Sequence, residues 1–144
     1  MDDVRVHVRC PGCGATNRLP ATRVDDQPVC GRCGAELLDG TPLELGEAEF
    51  DAFVGATRQP VRVDFWAAWC GPCRAMAPAF AQAGRQLAGR ALFVKVDSDA
   101  NPALAARFGI RSIPTLVRLE RGRETARHSG ALPAAAIAAL AASA

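Results

Sequence analysis

Two cysteines separated by two residues, Cys70 and Cys73, lie where a strand-like segment is followed by a helix-like one. The segment Val61–Trp66 alternates β-branched and aromatic residues as a strand does, and the residues from Pro72 onward have a helical pattern. A helix N-terminus offers unpaired backbone N–H groups and a partial positive charge, and both favour a thiolate over a thiol. Pro72 suits the first helical turn, because its missing N–H costs nothing there. The pair is therefore a candidate redox centre.

The other four cysteines form two further pairs, each with two intervening residues, and sixteen residues separate the pairs. This spacing indicates a zinc site with four thiolate ligands, Cys10, Cys13, Cys30 and Cys33. The module has few large apolar residues, so metal binding would supply the free energy that its core lacks. Two structural disulfides or a second redox-active pair are the alternatives. His7 could be another ligand, but an exposed histidine is the preferred interpretation, since four thiolates complete a tetrahedron.

The composition excludes several classes of protein. The 144 residues suffice for one ordinary domain and a small accessory module. The net charge of +2 arises from 17 basic and 15 acidic residues scattered along the chain, so we expect no nucleic-acid partner. No segment reaches the roughly 18 apolar residues of a membrane helix, so we expect no membrane partner. The N-terminus begins acidic and lacks an apolar segment, which predicts a cytoplasmic location rather than a secretory signal.

A turn cluster at residues 39–42 predicts the boundary between a zinc-binding module, residues 1–41, and a second domain, residues 42–144. The second domain should be an α/β sandwich whose sheet has a parallel and an antiparallel part. Its predicted elements are a strand at 43–45, a helix at 46–56, a strand at 61–66, a helix at 72–87 with a kink at Pro78, a strand at 91–96, a helix capped by Asp99 or Asn101, strands at 113–119 and 124–129, and a helix at 133–140.

Residues 43–144 resemble thioredoxin. The resemblance rests on the segment 64–73, Asp-Phe-Trp-Ala-Ala-Trp-Cys-Gly-Pro-Cys, followed by Lys95, by Ile113-Pro114-Thr115, and by Gly122 and Gly130, in the family's order and spacing. The two N-terminal cysteine pairs are similar to those of zinc-binding bacterial thioredoxins, sometimes called the second thioredoxin. The resemblance implies a thioredoxin fold, with a central mixed sheet flanked by helices, and a small N-terminal module similar to a zinc ribbon.

The resemblance also implies roles for individual residues. Cys70, on the exposed side of the junction, would attack a substrate disulfide, and the more buried Cys73 would resolve the mixed disulfide. Asp64 interrupts an apolar strand, where a carboxylate is costly to bury. It would be a buried acid of raised pKa that exchanges a proton with Cys73, with Lys95 nearby. A solvated aspartate at the end of a strand is the alternative.

A substrate groove is expected beside the dithiol. The resemblance implies a cis proline at Pro114 that faces the dithiol, and Trp69 would offer apolar contact to substrates while Trp66 lies in the core. The predicted groove residues are Trp69, Gly71, Pro72, Ile113, Pro114 and Gly130. Ser98, Ser112 and Ser129 depart from the family's usual residues and should make the groove more polar. Arg118, amid aliphatic residues, must reach water or a carboxylate.

The resulting prediction is an enzyme, a cytoplasmic protein-disulfide reductase that works through Cys70 and Cys73. Thioredoxin reductase, drawing on NADPH, would recycle it, and its substrates would be disulfide-containing proteins. The expected cofactors are one structural zinc ion and the redox-active disulfide, with no bound organic cofactor, and the protein should be a monomer. The alternatives are a disulfide oxidant or isomerase, and a binding protein that uses the zinc module with the thioredoxin fold as scaffold.

Overall fold

The structure, a computed structural model, describes residues 4–142, so the first three residues of the acidic N-terminus and the last two of the alanine-rich tail lie outside it. The elements in chain order are β1 (Arg5–Arg9), β2 (Thr16–Pro20), a 3-10 turn (Ala21–Arg23), β3 (Leu43–Glu44), α1 (Phe50–Ala56), β4 (Val61–Trp66), α2 (Gly71–Gln86), β5 (Leu92–Asp97), α3 (Pro102–Arg107), β6 (Thr115–Glu120), β7 (Arg123–Ser129) and α4 (Ala134–Ala142).

The larger of the two sheets has five strands in the order β3-β5-β4-β6-β7. Strands β3, β5 and β4 are parallel, whereas β6 runs antiparallel to β4 and β7 antiparallel to β6. The polar strand β7 forms one edge, where its charged side chains are exposed to water. The predicted mixed sheet with a parallel and an antiparallel part is confirmed.

Helices cover both faces of this sheet. Val63 and Phe65 of β4 point to the face that packs against α1 and α3, together with Phe53. On the opposite face, residues of α2 and α4 such as Phe80 and Ile137 form a second apolar cluster. Because side chains alternate along a strand, Arg62, Asp64 and Trp66 all belong to this second face. Helix α2, which begins with the dithiol, therefore packs on the face that carries Asp64.

The N-terminal module packs directly on the sheet domain. Strands β1 and β2 form an antiparallel ribbon, and its apolar side chains Val6, Val8 and Leu19 belong to the same buried cluster as Phe53 of α1. Asp25 fixes the contact, since its carboxylate accepts hydrogen bonds from the Thr57 hydroxyl at 2.6 Å and from the backbone N–H of Arg58 at 2.7 Å. The two predicted units thus share one core, and the boundary at residue 41 remains a prediction.

One helix start and one helix cap differ from the sequence prediction. Helix α1 begins at Phe50 rather than near Gly46, because residues 47–49 form turns. Asn101 occupies the cap position of α3, but its side chain accepts a hydrogen bond from the N–H of Glu47 at 3.0 Å instead of capping the helix. The Glu47 carboxylate in turn accepts from the N–H of Ala103 at 2.8 Å. A distant residue therefore caps α3 and ties it to the start of α1. Helix α2 continues through Pro78.

Two arginines are buried on the second face of the sheet. Arg118, whose partner the sequence left open, pairs with Glu120 at 2.9 Å and donates to the Thr125 hydroxyl at 3.2 Å. Arg62 is fully buried and donates to the backbone carbonyl of Ile137 in α4 at 2.6 Å. Burial, followed by the charge of Arg118, lowers the pKa of Arg62 to about 10. A buried cation thus joins α4 to the sheet.

Candidate functional site

The dithiol occupies the N-terminus of α2. Strand β4 ends at Trp66, a short turn closes with a hydrogen bond from the N–H of Cys70 to the carbonyl of Ala67 at 3.1 Å, and α2 begins at once. Cys70 is the N-cap residue, and its Sγ accepts a hydrogen bond from the N–H of Cys73 at 3.2 Å. The two cysteines form a disulfide with their Cα atoms 5.2 Å apart. A thiolate at Cys70 would therefore meet a helix N-terminus and a backbone donor.

The exposure of the pair differs from the prediction for Cys70. Cys70 is 3% exposed and Cys73 is 2% exposed, so both sulfurs are buried in this disulfide form. Cys70 is covered because the segment before β6 packs over it, with its Sγ 3.7 Å from the carbonyl oxygen of Ile113. An asymmetry remains, since Cys70 lines the neighbouring groove and Cys73 does not. A substrate approaching through this groove meets Cys70 first.

The groove beside the disulfide has a volume of about 360 Å³. Its lining residues are Trp69, Cys70, Gly71, Pro72, Ser98, Asp99, Ala105, Ile110, Arg111, Ser112 and Ile113. The predicted groove residues Pro114 and Gly130 are not among them. Pro114 is buried behind the cis Ile113–Pro114 bond, and its carbonyl accepts a hydrogen bond from the N–H of Gly130 at 2.8 Å. This hydrogen bond joins Gly130 to Pro114, the residue that follows the groove residue Ile113.

The groove combines an apolar surface with polar groups. Trp69 is 69% exposed, and its indole N–H donates to the Asp99 carboxylate at 2.7 Å, which holds the ring beside Cys70. The sequence had assigned Asp99 only as a possible helix cap. The sequence could have indicated that Asp99 belongs to the site, because Asp99 lies just after β5 and loops at the carboxyl ends of parallel strands meet at one edge of the sheet. Ser98 and Ser112 line the groove as expected, whereas the Ser129 hydroxyl lies 3.1 Å from that of Thr115.

Asp64 is a buried carboxyl group on the face that α2 covers. It is 0% exposed, and among the described residues neither carboxylate oxygen has a hydrogen-bond partner. Burial raises the pKa of Asp64 to about 7; the charge of Lys95 opposes this rise and that of Glu44 adds to it. Lys95 is the register neighbour of Asp64 on β5, and its Nζ lies 4.6 Å from the centroid of the Trp66 ring. Asp64 is therefore buried, as expected, and a solvated aspartate at the end of the strand is excluded.

The remaining four cysteines converge in the N-terminal module. Their sulfur atoms all lie within 4.8 Å of one another, with Cys10 and Cys33 at 3.6 Å and Cys13 and Cys30 at 3.7 Å. A tetrahedral zinc ion with Zn–S bonds of about 2.3 Å requires sulfurs about 3.8 Å apart, so the donor set fits. His7 lies outside the cluster and contacts Glu49 instead.

Backbone and side-chain donors favour thiolates at two of these cysteines. The N–H groups of Gly12 and Cys13 point to the Sγ of Cys10 at 3.3 and 3.4 Å, and the pKa of Cys10 is lowered, mainly by the latter. The Asn17 amide, followed by backbone N–H groups, lowers the pKa of Cys30 to about 6. At Cys33 the N–H of Ala35 also lowers the pKa, but the neighbouring thiols outweigh it and raise the pKa to about 11. Four thiolates this close repel one another unless a cation lies between them.

Known proteins match both parts of the chain. The family model "Thioredoxin" matches residues 41–143, and the model "Thioredoxin 2, N-terminal" matches residues 9–35. Thioredoxin C-3 of Corynebacterium nephridii is 48% identical over 123 residues, which cover 85% of this chain and 84% of that protein. Thioredoxin of Haemophilus influenzae is 42% identical over 91 residues, covering 63% of this chain and 85% of that protein.

Solved structures give the same result. Chloroplastic thioredoxin z superposes with a TM-score of 0.66 at 31% identity, covering 71% of this chain and 92% of that one. A thioredoxin variant from Halobacterium salinarum gives a TM-score of 0.67 at 33% identity, covering 73% and 91% of the two chains. Within residues 4–142 no helix is long and apolar enough to cross a membrane. With a redox-active disulfide at the start of α2 and an N-terminal zinc-ribbon module, the chain belongs to the thioredoxin family.

Proposed function

We propose that this protein reduces disulfide bonds in other proteins by dithiol–disulfide exchange. The Cys70 thiolate attacks a substrate disulfide, so that one S–S bond forms, one breaks and the first substrate thiolate leaves. The Cys73 thiolate then attacks Cys70 and releases the second substrate thiolate. Two electrons thereby pass from the dithiol to the substrate, and the Cys70–Cys73 disulfide forms. The observation that carries this proposal is the disulfide at the N-terminus of α2, beside an open groove and on the face that holds a buried carboxyl.

The groove suits a polypeptide substrate. Its apolar surface at Trp69 and Ile113 can contact side chains that flank a substrate cystine. The backbone before β6, at Arg111–Ile113, can accept an extended segment by strand pairing, the way that many peptides bind to a sheet. A polypeptide in this position would have its disulfide over Cys70. This arrangement supports a protein rather than a small molecule as the substrate.

A coupled assay tests the reaction and its direction. A bacterial thioredoxin reductase with NADPH would regenerate the dithiol, and insulin would serve as the disulfide substrate. We expect NADPH oxidation to depend on both this protein and insulin. The reduction potential should be about −270 mV, the value known for thioredoxin, which suits a reductase that acts in the cytoplasm. A value of about −120 mV, as in a dedicated oxidant, would favour the disulfide oxidant instead.

We further propose that Asp64 takes the proton of Cys73 as that thiol becomes the resolving nucleophile. Replacing Asp64 by asparagine should slow release of the substrate from the mixed disulfide at least about 10-fold above pH 7, because a positioned base is lost. Stopped-flow release of a labelled peptide between pH 5 and 9 would measure this. In the wild type the release rate should rise through about pH 7 as Asp64 ionises. An unchanged rate and profile would remove Asp64 from the mechanism.

The Asp64→Asn variant should also change the stability of the folded protein. The folded protein holds Asp64 protonated up to about pH 7, whereas an unfolded chain ionises it near pH 3.9. The titration of Asp64 therefore lowers the free energy of unfolding of the wild type as the pH rises from about 4 to 7. The Asp64→Asn variant has no ionisable group at this position and does not show this decrease. Relative to the wild type, the variant's free energy of unfolding should gain up to about 4 kcal/mol between pH 3 and pH 8. Urea titrations at both pH values would measure it.

We propose that Cys10, Cys13, Cys30 and Cys33 hold one structural zinc ion. Four sulfurs at tetrahedral spacing leave no open coordination position for a substrate, which supports a structural rather than a catalytic role. When bound, zinc supplies two positive charges that allow all four thiolates to coexist. In the folded ribbon, the backbone N–H groups of Gly12 and Arg32 donate to the sulfurs of Cys10 and Cys30, and these hydrogen bonds would orient the two ligands toward the metal.

A further inference from the structure

A second carboxylate, Glu44, lies two strands away from Asp64 on the same face of the sheet. Strand β3 pairs with β5 so that Glu44 is opposite Lys95, and β4 pairs with the other side of β5 so that Asp64 is also opposite Lys95. We propose that Glu44 is a positioning residue that acts on the Asp64 carboxyl through the Lys95 ammonium. This inference rests on the proposed role of Asp64 as the proton acceptor of Cys73.

The three side chains form a row that leads from solvent to the core. Glu44 is exposed at the edge of the sheet, Lys95 is half-buried, and Asp64 is fully buried. The Lys95 Nζ lies over the Trp66 ring, whose residue follows Asp64 by two positions on β4. Lys95 lies in register with both acids, and its charge acts on the carboxyl groups of both Glu44 and Asp64. Glu44 is therefore placed to compete with Asp64 for the same cation.

The other charged groups on this face have partners elsewhere or lie further along it. Arg62 donates to the Ile137 carbonyl, and Arg118 pairs with Glu120. Asp97 follows Lys95 by two positions on β5; its carboxylate accepts hydrogen bonds from two backbone N–H groups after the strand, and its charge also raises the pKa of Glu44. His128 of β7 is in register with Leu116, which separates it from Asp64. Helices α2 and α4 present apolar residues and Cys73 to this face.

The charge balance explains what Glu44 does. One ammonium cannot neutralise two carboxylates, so one of them favours its proton, and the buried Asp64 is the more costly one to ionise. Burial is the main cause of the raised pKa of Asp64, the charge of Lys95 lowers that pKa, and the charge of Glu44 raises it further. Glu44 is exposed as a whole, but partial burial of its carboxyl group raises its own pKa, while the charge of Lys95 lowers it. Without the Glu44 charge, Lys95 would pair with Asp64 alone and make it a stronger acid and a weaker base.

The test replaces Glu44 by glutamine, which keeps the shape and removes the charge. The carboxyl carbon of Asp64, followed by NMR in the oxidised protein, should titrate at a pH lower by about 0.5 to 1 than in the wild type. The midpoint of the pH profile for substrate release should move down by the same amount. Glu36→Gln, the same change in the exposed part of the N-terminal module, should move neither midpoint. Glu44→Asp, which retains the charge, should restore most of the wild-type midpoint.

A double variant tests whether Glu44 acts on Asp64 through Lys95. If Glu44 acts through Lys95, the shift caused by Glu44→Gln should shrink in a Lys95→Met background. An equal shift in both backgrounds would overturn the role of Lys95. An Asp64 titration that moves no further in Glu44→Gln than in Glu36→Gln would overturn the whole inference, whatever Asp64→Asn does. If the NMR midpoint moves but the release profile does not, the link from Glu44 to Asp64 stands, and the proposed role of Asp64 in proton exchange fails.

Discussion

A Cys70→Ser variant should lose at least about 10³-fold in the rate of insulin reduction, because a serine hydroxyl cannot replace the thiolate that attacks the substrate disulfide. A Cys73→Ser variant should fail in a different way. Its Cys70 thiolate can still attack, but no second thiolate releases the product. We therefore expect it to accumulate a covalent mixed disulfide with the substrate, which mass spectrometry would detect and which added dithiothreitol would reduce.

The two variants together separate the roles of the cysteines. Only Cys70 lines the groove, so only the variant that retains Cys70 should trap substrate. Trapping by Cys70→Ser, with none by Cys73→Ser, would reverse the assignment. Both variants should keep their zinc content and far-UV circular dichroism, since the dithiol lies outside the four-cysteine cluster. Full biological activity in the double serine variant would instead favour a binding protein in which the thioredoxin fold is only a scaffold.

Local sequence patterns were sufficient to predict the order of strands and helices in the larger domain. The alternation in Val61–Trp66 and the apolar stripe of α2 are properties of neighbouring residues, and the structure forms both elements where expected. The position of the dithiol at the strand-to-helix junction follows from the same local signals. Asp64 could also be singled out, because a carboxylate within an apolar strand is costly unless it has a function.

Features that depend on distant parts of the chain could not be predicted in this way. The partner of Arg62 is a backbone carbonyl 75 residues away, and α3 is capped by Glu47 rather than by its own N-cap residue. The burial of Cys70 depends on the segment at Ile113, which the chain reaches only two elements later. The row that contains Glu44 depends on strand register, which the residues of β3 alone do not specify. Each of these contacts is made by tertiary packing.

Removing zinc from the N-terminal module should strongly destabilise the folded protein. Apparent binding free energies for structural zinc in small modules are about 10 to 16 kcal/mol at neutral pH, far above what this small module can gain from its own core. A Cys30→Ser variant should therefore lose its zinc and unfold the ribbon of β1 and β2. Because Val6, Val8 and Leu19 pack in the same cluster as α1, the melting temperature of the whole protein should fall, by more than about 10 °C.

The measurements are zinc per chain by mass spectrometry, calorimetric melting, and reactive thiols counted in denaturant without reductant. We expect one zinc ion in the wild type, and four reactive thiols beyond those of the dithiol, whereas two structural disulfides would leave none.

His7→Ala is the matched control: His7 is exposed and lies outside the cysteine cluster, so zinc content and melting temperature should be unchanged. Lowering the pH should release the metal from the wild type, because protons compete for the thiolates. Retention of one zinc ion by Cys30→Ser would contradict the four-thiolate site, and zinc loss from His7→Ala would make histidine a ligand.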